Sequence, residues 1–156
     1  MARTALASLV GHLTDRGVRH IFGVPGGDCS LDIMDAATKA GIQFVLCRTE
    51  TAAGFAAAVT GELTGSIGVV MTTRGPGFVS ALNGVAYAHL DRSRLMLIAD
   101  HYDSELDYVS HQRLDQAAIL RPLLRGEARM DSGGFSRDLG ELFDLAFAQP
   151  NGPIYL

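Results

Sequence analysis

Hydrophobic positions along the chain change repeatedly between a helical period and short strand-like runs. The first segment predicts a helix that Thr4 caps and that ends at Gly17. Residues 20–24 follow as an apolar run too short for a helix, which is typical of a strand. A helix over 30–40, capped by Ser30, and a buried strand over 42–47 repeat the pattern.

The same alternation continues to the end of the chain. It predicts strands over 67–71, 95–99, 127–130 and 154–156, and helices over 51–59, 78–89, 114–120 and 137–147. Strands that alternate with helices form right-handed crossovers and a parallel sheet covered on both faces. The fold class is therefore α/β, a three-layer α/β/α domain with a six-stranded parallel sheet. We expect residues 1–156 to form one domain.

Composition limits the classes of function. With 156 residues, 47% hydrophobic and 19% charged, the chain can bury one full core. A formal charge of −4, with Lys39 as the single lysine and no basic run, argues against a nucleic-acid partner. The apolar runs are broken before the ~18 residues that a membrane span needs, and no signal-type core is present. We expect a cytoplasmic protein without a membrane partner, with Cys29 and Cys47 as reduced thiols.

A single carboxylate stands in an apolar setting directly after the 42–47 strand. Glu50 precedes a helix that begins at Thr51 and is almost all alanine. Open α/β sheets bind their ligands at the carboxyl ends of the strands, so Glu50 is a candidate site residue. Desolvation there would favour its neutral, proton-donating form. The alternative is that Glu50 only complements the positive end of the helix dipole, which is worth ~0.3–1 kcal/mol.

Loops that follow the strands gather at one edge of such a sheet. They contain Pro25-Gly26-Gly27, Arg48-Thr49-Glu50, Thr72-Thr73-Arg74-Gly75-Pro76-Gly77 and Asp100-His101-Tyr102. Glycines in two of these loops allow backbone amides to approach a ligand closely. The histidines, cysteines and carboxylates have no convincing metal-ligand spacing, so we expect no metal site.

A dinucleotide is one candidate ligand for this edge. Gly75-Pro76-Gly77-Phe78-Val79-Ser80 follows a strand and opens a helix, and Asp100 ends the next strand, where a ribose-binding acid would stand. The third glycine position is Ser80, however, and the motif follows the third strand instead of the first. The dinucleotide interpretation is therefore kept only as an alternative.

Five motifs in order carry a more specific resemblance. They are Phe22-Gly23-Val24-Pro25-Gly26-Gly27, Arg48-x-Glu50-x-x-Ala53-x-Phe55-x-Ala57, Gly75-Pro76-Gly77, Ala88-x-Leu90-Asp91 and the closing Gly152-Pro153-Ile154-Tyr155-Leu156. In this order they resemble the N-terminal pyrimidine-binding domain of thiamine diphosphate enzymes, in the group of acetolactate synthase, pyruvate oxidase and benzoylformate decarboxylase. The resemblance covers nearly the whole chain.

The resemblance implies roles for particular residues. Glu50 would be the catalytic glutamate that hydrogen-bonds N1′ of the cofactor's aminopyrimidine and so promotes removal of the thiazolium C2 proton. The residues that match cofactor-binding positions are Pro25, Gly26, Thr73, Pro76 and Ser80, together with Glu50. The residues that would line the substrate are Gly27, His101 and Gln112. His111 is a further candidate for proton transfer near neutral pH.

The resemblance also implies that this chain supplies half of a composite site. The family binds the cofactor's diphosphate through magnesium in a separate domain, by a Gly-Asp that is followed about 25–30 residues later by an Asn. Gly27-Asp28 is the only remote candidate here, and no asparagine follows it until Asn83. We expect the chain to be either the N-terminal part of a longer chain or a small subunit paired with a diphosphate-binding subunit. A homodimer or higher homo-oligomer and a small 2-oxo acid substrate are the implied partners.

Three positions depart from the family's usual residues and leave a second hypothesis open. Thr49 stands where relatives often carry histidine, Ser80 where they often carry asparagine, and Arg74 replaces a small residue. Arg74 would either pair with a substrate carboxylate or point to solvent. The alternative function is a noncatalytic binding or assembly domain of the same fold.

Overall fold

The computed structural model describes residues 4–27, 29–101, 111–130 and 134–156. The strands are β1 (His20–Gly23), β2 (Gln43–Leu46), β3 (Gly68–Thr72), β4 (Leu95–Ala99), β5 (Gly126–Glu127) and β6 (Ile154–Tyr155). The helices in these ranges are α1 (Ala5–Asp15), α2 (Cys29–Lys39), α3 (Glu50–Thr64), α4 (Pro76–Asp91), α5 (Gln116–Leu120) and α6 (Phe135–Phe147).

The strands form one sheet whose order explains where a ligand site belongs. The order is β2-β1-β3-β4-β6-β5, and every described strand pair is parallel. This confirms the predicted α/β class and the six-stranded parallel sheet. The chain leaves β1 toward β2 at one edge and then returns to β3 on the other side of β1. At such a reversal, open α/β sheets bind their ligands in a crevice at the carboxyl ends of the strands, which are here β1 and β3.

Two hydrophobic cores lie on opposite faces of the sheet. The first joins the sheet to α1, α2 and α6, with Leu9, Ile33 and Phe143 among its buried members. The second joins it to α3, α4 and α5, with Ala57, Phe78 and Leu120 among its members. The two cores confirm the predicted three-layer arrangement, because each face of the sheet is covered by helices.

The prediction that the 42–47 strand is buried was wrong. β2 is an edge strand, hydrogen-bonded to β1 alone in the described part of the sheet. Its residues are half-buried or exposed, and Leu46 is 71% exposed. An apolar run of this length does not distinguish a central strand from an edge strand, because the neighbours that would bury it come from distant segments of the chain.

Several predicted boundaries need correction, and local chemistry explains most of them. Thr4 caps α1 as predicted, since its Oγ1 accepts a hydrogen bond from the Ala7 amide at 3.2 Å. Ser30 does not cap α2, because that helix begins at Cys29 and Ser30 lies within it.

The ends of two later elements also differ from the prediction. Helix α3 extends to Thr64 because Gly65, with φ of 70°, supplies the left-handed C-cap. Strand β5 has two residues, matching the two that β6 offers for pairing.

Helices α3 and α4 cross at unusually short range, and glycine permits it. A Cβ atom added to Gly54 would lie 2.9 Å from the Cα of Gly84, and one added to Gly84 would lie 2.5 Å from the Cα of Gly54. Because contacts below 3.0 Å are essentially absent between real Cβ atoms and their neighbours, both positions require glycine at this separation. The crossing fixes the two helices whose first turns face the crevice.

Candidate active site

Glu50 is the first residue of α3, and a short loop, Cys47-Arg48-Thr49, joins it to the edge strand β2. Thr49 caps the helix, and its Oγ1 accepts a hydrogen bond from the Ala52 amide at 3.1 Å. Thr49 thus has a local structural role at the position where relatives often carry histidine. The cap places Glu50 in the first turn, at the carboxyl edge of the sheet as the sequence predicted.

The carboxyl group of Glu50 reaches the first turn of α4. A Cβ atom added to Gly77 would lie 3.2 Å from Glu50 Oε1 and 2.9 Å from Thr72 Oγ1. Glu50 is half-buried, and in the described ranges no side-chain or backbone donor hydrogen-bonds to its carboxyl group. The group is therefore held against α4 with its oxygens left for a ligand.

A hydrogen bond from Thr51 connects the first turn of α3 to α4. Its Oγ1 donates a 2.6 Å hydrogen bond to the backbone carbonyl of Ser80. Ser80, a predicted cofactor-binding residue, therefore contributes its carbonyl to this contact between helices. The bond and the Gly54–Gly84 crossing together set the distance between Glu50 and Gly77.

The loops after β1 and β3 lie against each other, and the contact is made by Thr73, which directly follows β3. A Cβ atom added to Gly26 would lie 2.6 Å from Thr73 Oγ1, and one added to Gly77 would lie 2.7 Å from Thr73 Cγ2. Pro76 is exposed at the start of α4, and Pro25 is half-buried in the loop after β1. The structure thus brings Gly26, Thr73 and Glu50 to one edge of the sheet. Gly26 and Gly77 therefore allow the two loops to pack closely around Thr73, because a side chain at either position would clash with it.

Gln112 lies beside the loop that precedes α4. A Cβ atom added to Gly75 would lie 2.7 Å from the Cβ of Gln112, and both residues have positive φ angles of 60° and 59°. The Gln112 side chain is exposed. Arg74 in the same loop is only 9% exposed, so the alternative in which it points to solvent is wrong.

Two predicted substrate-lining residues are not joined to Glu50 by any described contact. His101 lines a cavity of about 460 Å³ at the ends of β4, β5 and β6, together with Cys29, Glu127, Arg129 and Tyr155. Glu50 is not among the residues that line this cavity. Gly27 is exposed, and a Cβ atom added there would meet nothing within 4 Å. His111 is exposed as well.

Asp100 is the polar residue whose role the sequence analysis missed. It is 4% exposed, and its carboxylate accepts hydrogen bonds from Ser30 Oγ at 2.9 Å and Cys29 Sγ at 2.6 Å. A carboxylate used in this way is not available to a ribose, which removes the acid that the dinucleotide interpretation needed. No local signal in the sequence pairs Asp100 with Ser30, because Ser30 lies in α2 and Asp100 follows β4, 70 positions later.

A second buried polar pair, Gln116 and Tyr155, joins α5 to β6. Tyr155 donates a 2.5 Å hydrogen bond to Gln116 Oε1. Burial raises the pKa of the Tyr155 hydroxyl, and the negative charge of Glu127 adds to the increase. The Tyr155 phenol therefore remains protonated, and able to donate its hydrogen bond, throughout the pH range in which enzymes work.

A metal-ligand cluster and a membrane-spanning helix are both absent from the described residues. No group of three or more histidine, cysteine or acidic side chains stands together there as a metal site would require. Among the helices described, none combines the length and the apolar character needed to cross a bilayer.

Comparison with known proteins assigns the family. Residues 3–119 match the family model described as "Thiamine pyrophosphate enzyme, N-terminal TPP binding domain". The isozyme 3 large subunit of acetolactate synthase from Escherichia coli is 40% identical over 119 residues, which are 75% of this chain and 21% of that protein. A 2-hydroxyacyl-CoA lyase from rice is 35% identical over 114 residues, 72% of this chain and 20% of that protein.

The Glu50 carboxyl group lies beside Gly77 at the carboxyl edge of the sheet, in a domain with the α/β fold that the family model implies. The chain belongs to the family of N-terminal thiamine pyrophosphate-binding domains. An acetolactate synthase from Arthrospira platensis extends the similarity to 98% of this chain, at 33% identity over 159 residues and 27% of that protein. The chain spans about a fifth of the length of the first curated relatives it matches.

Proposed function

We propose that the chain is the pyrimidine-binding domain of a thiamine diphosphate-dependent enzyme that forms or cleaves a carbon–carbon bond next to a carbonyl. Acetolactate synthase-like carboligation and 2-oxo acid decarboxylation are the two reaction types, with a small 2-oxo acid as substrate. The names of the relatives support this class. The observation that carries the proposal is the Glu50 carboxyl, held against Gly77 with no donor in the described ranges.

In this proposal each residue of the crevice has a limited task. When bound, the cofactor supplies the nucleophilic carbon and accepts the electrons that the substrate releases. Glu50 shares a proton with N1′ of the aminopyrimidine. Gly26 and Gly77 let the loops after β1 and β3 pack closely against Thr73, which keeps the two loops in contact. Pro25, Pro76 and Ser80 border the ring, and Gln112 limits the substrate space beside Gly75.

The second half of the site lies outside this chain in the proposal. A diphosphate-binding domain, in the same or another polypeptide, would hold the magnesium ion and the diphosphate group through oxygen ligands. The relatives are about five times longer than the matched segment, which leaves room for such a domain within one chain. A cytoplasmic location accords with small, charged substrates and a diffusible cofactor.

A noncatalytic assembly domain is the second candidate function. The observations that favour it are Thr49, which serves as a helix cap, and Ser80, whose carbonyl binds Thr51. Both residues have structural tasks at positions where relatives often carry histidine and asparagine. The retained Glu50, whose carboxyl group has no structural hydrogen bond in the described ranges, favours the catalytic proposal.

Binding of thiamine diphosphate by this chain alone tests the half-site. We expect NMR titration to show binding in the millimolar range, with shifts confined to the loops after β1, β2 and β3 and no effect of magnesium. The affinity is low because the diphosphate ligands are missing. Glu50→Gln should reduce the shifts at Gly77. Tight, magnesium-dependent binding would contradict the half-site, and shifts elsewhere would contradict the assignment of the crevice.

Self-association is a second expected property. The sequence around the start of α3 predicts an exposed apolar patch of Ala52, Ala53, Phe55 and Ala56, and the structure corrects part of it. Ala53 is fully buried in the second core, so it does not belong to an outer surface. The exposed apolar residues on α3 are Phe55, Val59 and Leu63, at 38%, 39% and 84% exposure, and those on α4 are Val79 and Leu90, at 48% and 78%. We call this surface the α3–α4 face. Apolar surface of this kind marks contact sites between proteins.

We expect the α3–α4 face to pair two copies of the chain. Sedimentation should show a dimer that Val59→Glu converts to monomer, because a charge would be buried in the contact. Leu145→Glu is the matched control, since Leu145 is 41% exposed but lies on α6. A wild-type chain that stays monomeric at high concentration, or equal effects of the two variants, would argue against this interface.

A further inference from the structure

A buried carboxylate at the end of β4 has no task in the chemistry proposed above. Asp100 is 4% exposed and Ser30 is 1% exposed, although they are 70 positions apart in the chain. One carboxylate oxygen accepts from Ser30 Oγ, and the other accepts from the thiol of Cys29. Both donors lie in the first turn of α2. Asp100 therefore ties this turn to the end of the neighbouring strand.

The same residue is fixed from the opposite side through its backbone. Gln116, 1% exposed, donates from Nε2 to the Asp100 carbonyl at 3.3 Å, and its Oε1 accepts from Tyr155. The end of β4 is thus held between α2 on one side and α5 and β6 on the other. This arrangement leaves little freedom for the Asp100 side chain.

A buried carboxylate is a costly way to join a helix to a strand. Removing it from water costs several kcal/mol, and an apolar contact of equal volume is often as stable or more stable. In the described ranges no arginine or lysine forms an ion pair with Asp100. The contact is therefore better explained by the geometry it imposes than by stability.

That geometry concerns the loop after β1. The Cβ position at Gly26 is 3.6 Å from Asp100 Oδ2 and 2.6 Å from Thr73 Oγ1. Asp100 and Thr73 thus contact the same glycine, while Asp100 also holds the helix that follows the loop. We propose that Asp100 is a positioning residue that, through Ser30 and Cys29, keeps Gly26 against Thr73, where the loop contacts the aminopyrimidine. The last part of this proposal rests on the function proposed above.

Two serines allow a matched test in this chain. Ser30→Ala removes the donor to Asp100. Ser66→Ala removes a similar buried bond, because Ser66 is 8% exposed and donates to the Arg16 carbonyl at 2.6 Å at the opposite edge of the sheet. Both variants should lose a similar amount of thermal stability. Only Ser30→Ala, and likewise Asp100→Asn, should lower the NMR order parameter of the Gly26 amide, from about 0.85 toward 0.6.

Cofactor binding supplies the second measurement, in the protein together with its diphosphate-binding half. Ser30→Ala and Asp100→Asn should raise the half-saturating concentration of thiamine diphosphate roughly tenfold, the effect of about one hydrogen bond. Turnover at saturating cofactor should stay within about twofold, because Glu50 is untouched. Ser66→Ala should change neither quantity. If Ser30→Ala and Asp100→Asn do not fold, Cys29→Ala removes the donor on exposed Cys29 and provides the same comparison.

The order parameter of Gly26 tests the positioning role of Asp100, and the half-saturating concentration tests whether that role affects cofactor binding. An unchanged order parameter at Gly26 in the Ser30 and Asp100 variants would overturn the positioning role, whatever the cofactor does. A mobile Gly26 with unchanged half-saturation would overturn the proposed link between this contact and the cofactor. A wild-type protein that binds no thiamine diphosphate would instead refute the proposed function, and the order parameters would still decide the structural role of Asp100.

Discussion

Replacing Gly68 by alanine is expected to destabilise the domain by about 3 kcal/mol or more, among the larger effects of a single substitution. A Cβ atom added to Gly68, the first residue of β3, would lie 1.9 Å from the Ala57 carbonyl oxygen in α3. That neighbour is backbone, so the helix must move away from the central strand. Chemical denaturation of both proteins, monitored by circular dichroism, measures the difference.

Gly140→Ala is the matched control for this prediction. Gly140 lies within α6, and a Cβ atom added there would meet only His12 Cε1, at 3.6 Å. Because alanine has the higher helix propensity, this variant should be neutral or more stable by up to about 1 kcal/mol. A small effect at Gly68, equal to that at Gly140, would mean that α3 does not lie against β3 as described.

Replacing Glu50 by glutamine should reduce turnover by roughly 10²–10⁴, the usual consequence of losing an acid–base group. The substitution keeps size and polarity but removes the ionisable proton. Folding should be nearly unaffected, since no described residue hydrogen-bonds to the Glu50 carboxyl group. Steady-state kinetics and thermal unfolding of the protein that contains both halves of the site provide the measurement.

Glu141→Gln is the control, because Glu141 is an exposed carboxylate on α6, away from the crevice. Its substitution should leave turnover unchanged. If Glu50 only complements the helix dipole, its substitution would instead cost less than about 1 kcal/mol of stability and leave ordinary turnover. The two accounts differ in the turnover they predict, so the kinetic measurement distinguishes them.

The fold followed from local patterns, whereas the neighbours of each element did not. Glycine-bounded apolar runs and the Thr4 cap predicted the helices, the strands and the parallel sheet, and the order of motifs predicted the family. Strand order depends on pairing between distant segments, so the run at 42–47 gave no sign that β2 lies at an edge. An apolar run indicates a strand, but the burial of that strand depends on which other segments cover it.

The same limit applies to the candidate site. Glu50 was predicted from its place after a strand, and the structure places it at the predicted edge. The contact of Asp100 with Ser30 and Cys29 joins segments about 70 residues apart, and nothing local in the sequence specifies it. Thr49 looked like a departure from the family, yet its hydroxyl caps α3. Contacts between residues that are far apart in the sequence can be identified only from the structure.

Exchange of the C2 proton of bound thiamine diphosphate tests the central claim most directly. The experiment compares wild-type and Glu50→Gln proteins with both halves of the site present, in deuterated buffer and at saturating cofactor. If Glu50 promotes removal of this proton, exchange in the variant should be slower by roughly 10²–10⁴ while the bound fraction stays the same. Equal exchange rates in the two proteins would contradict the account and leave Glu50 as a structural residue.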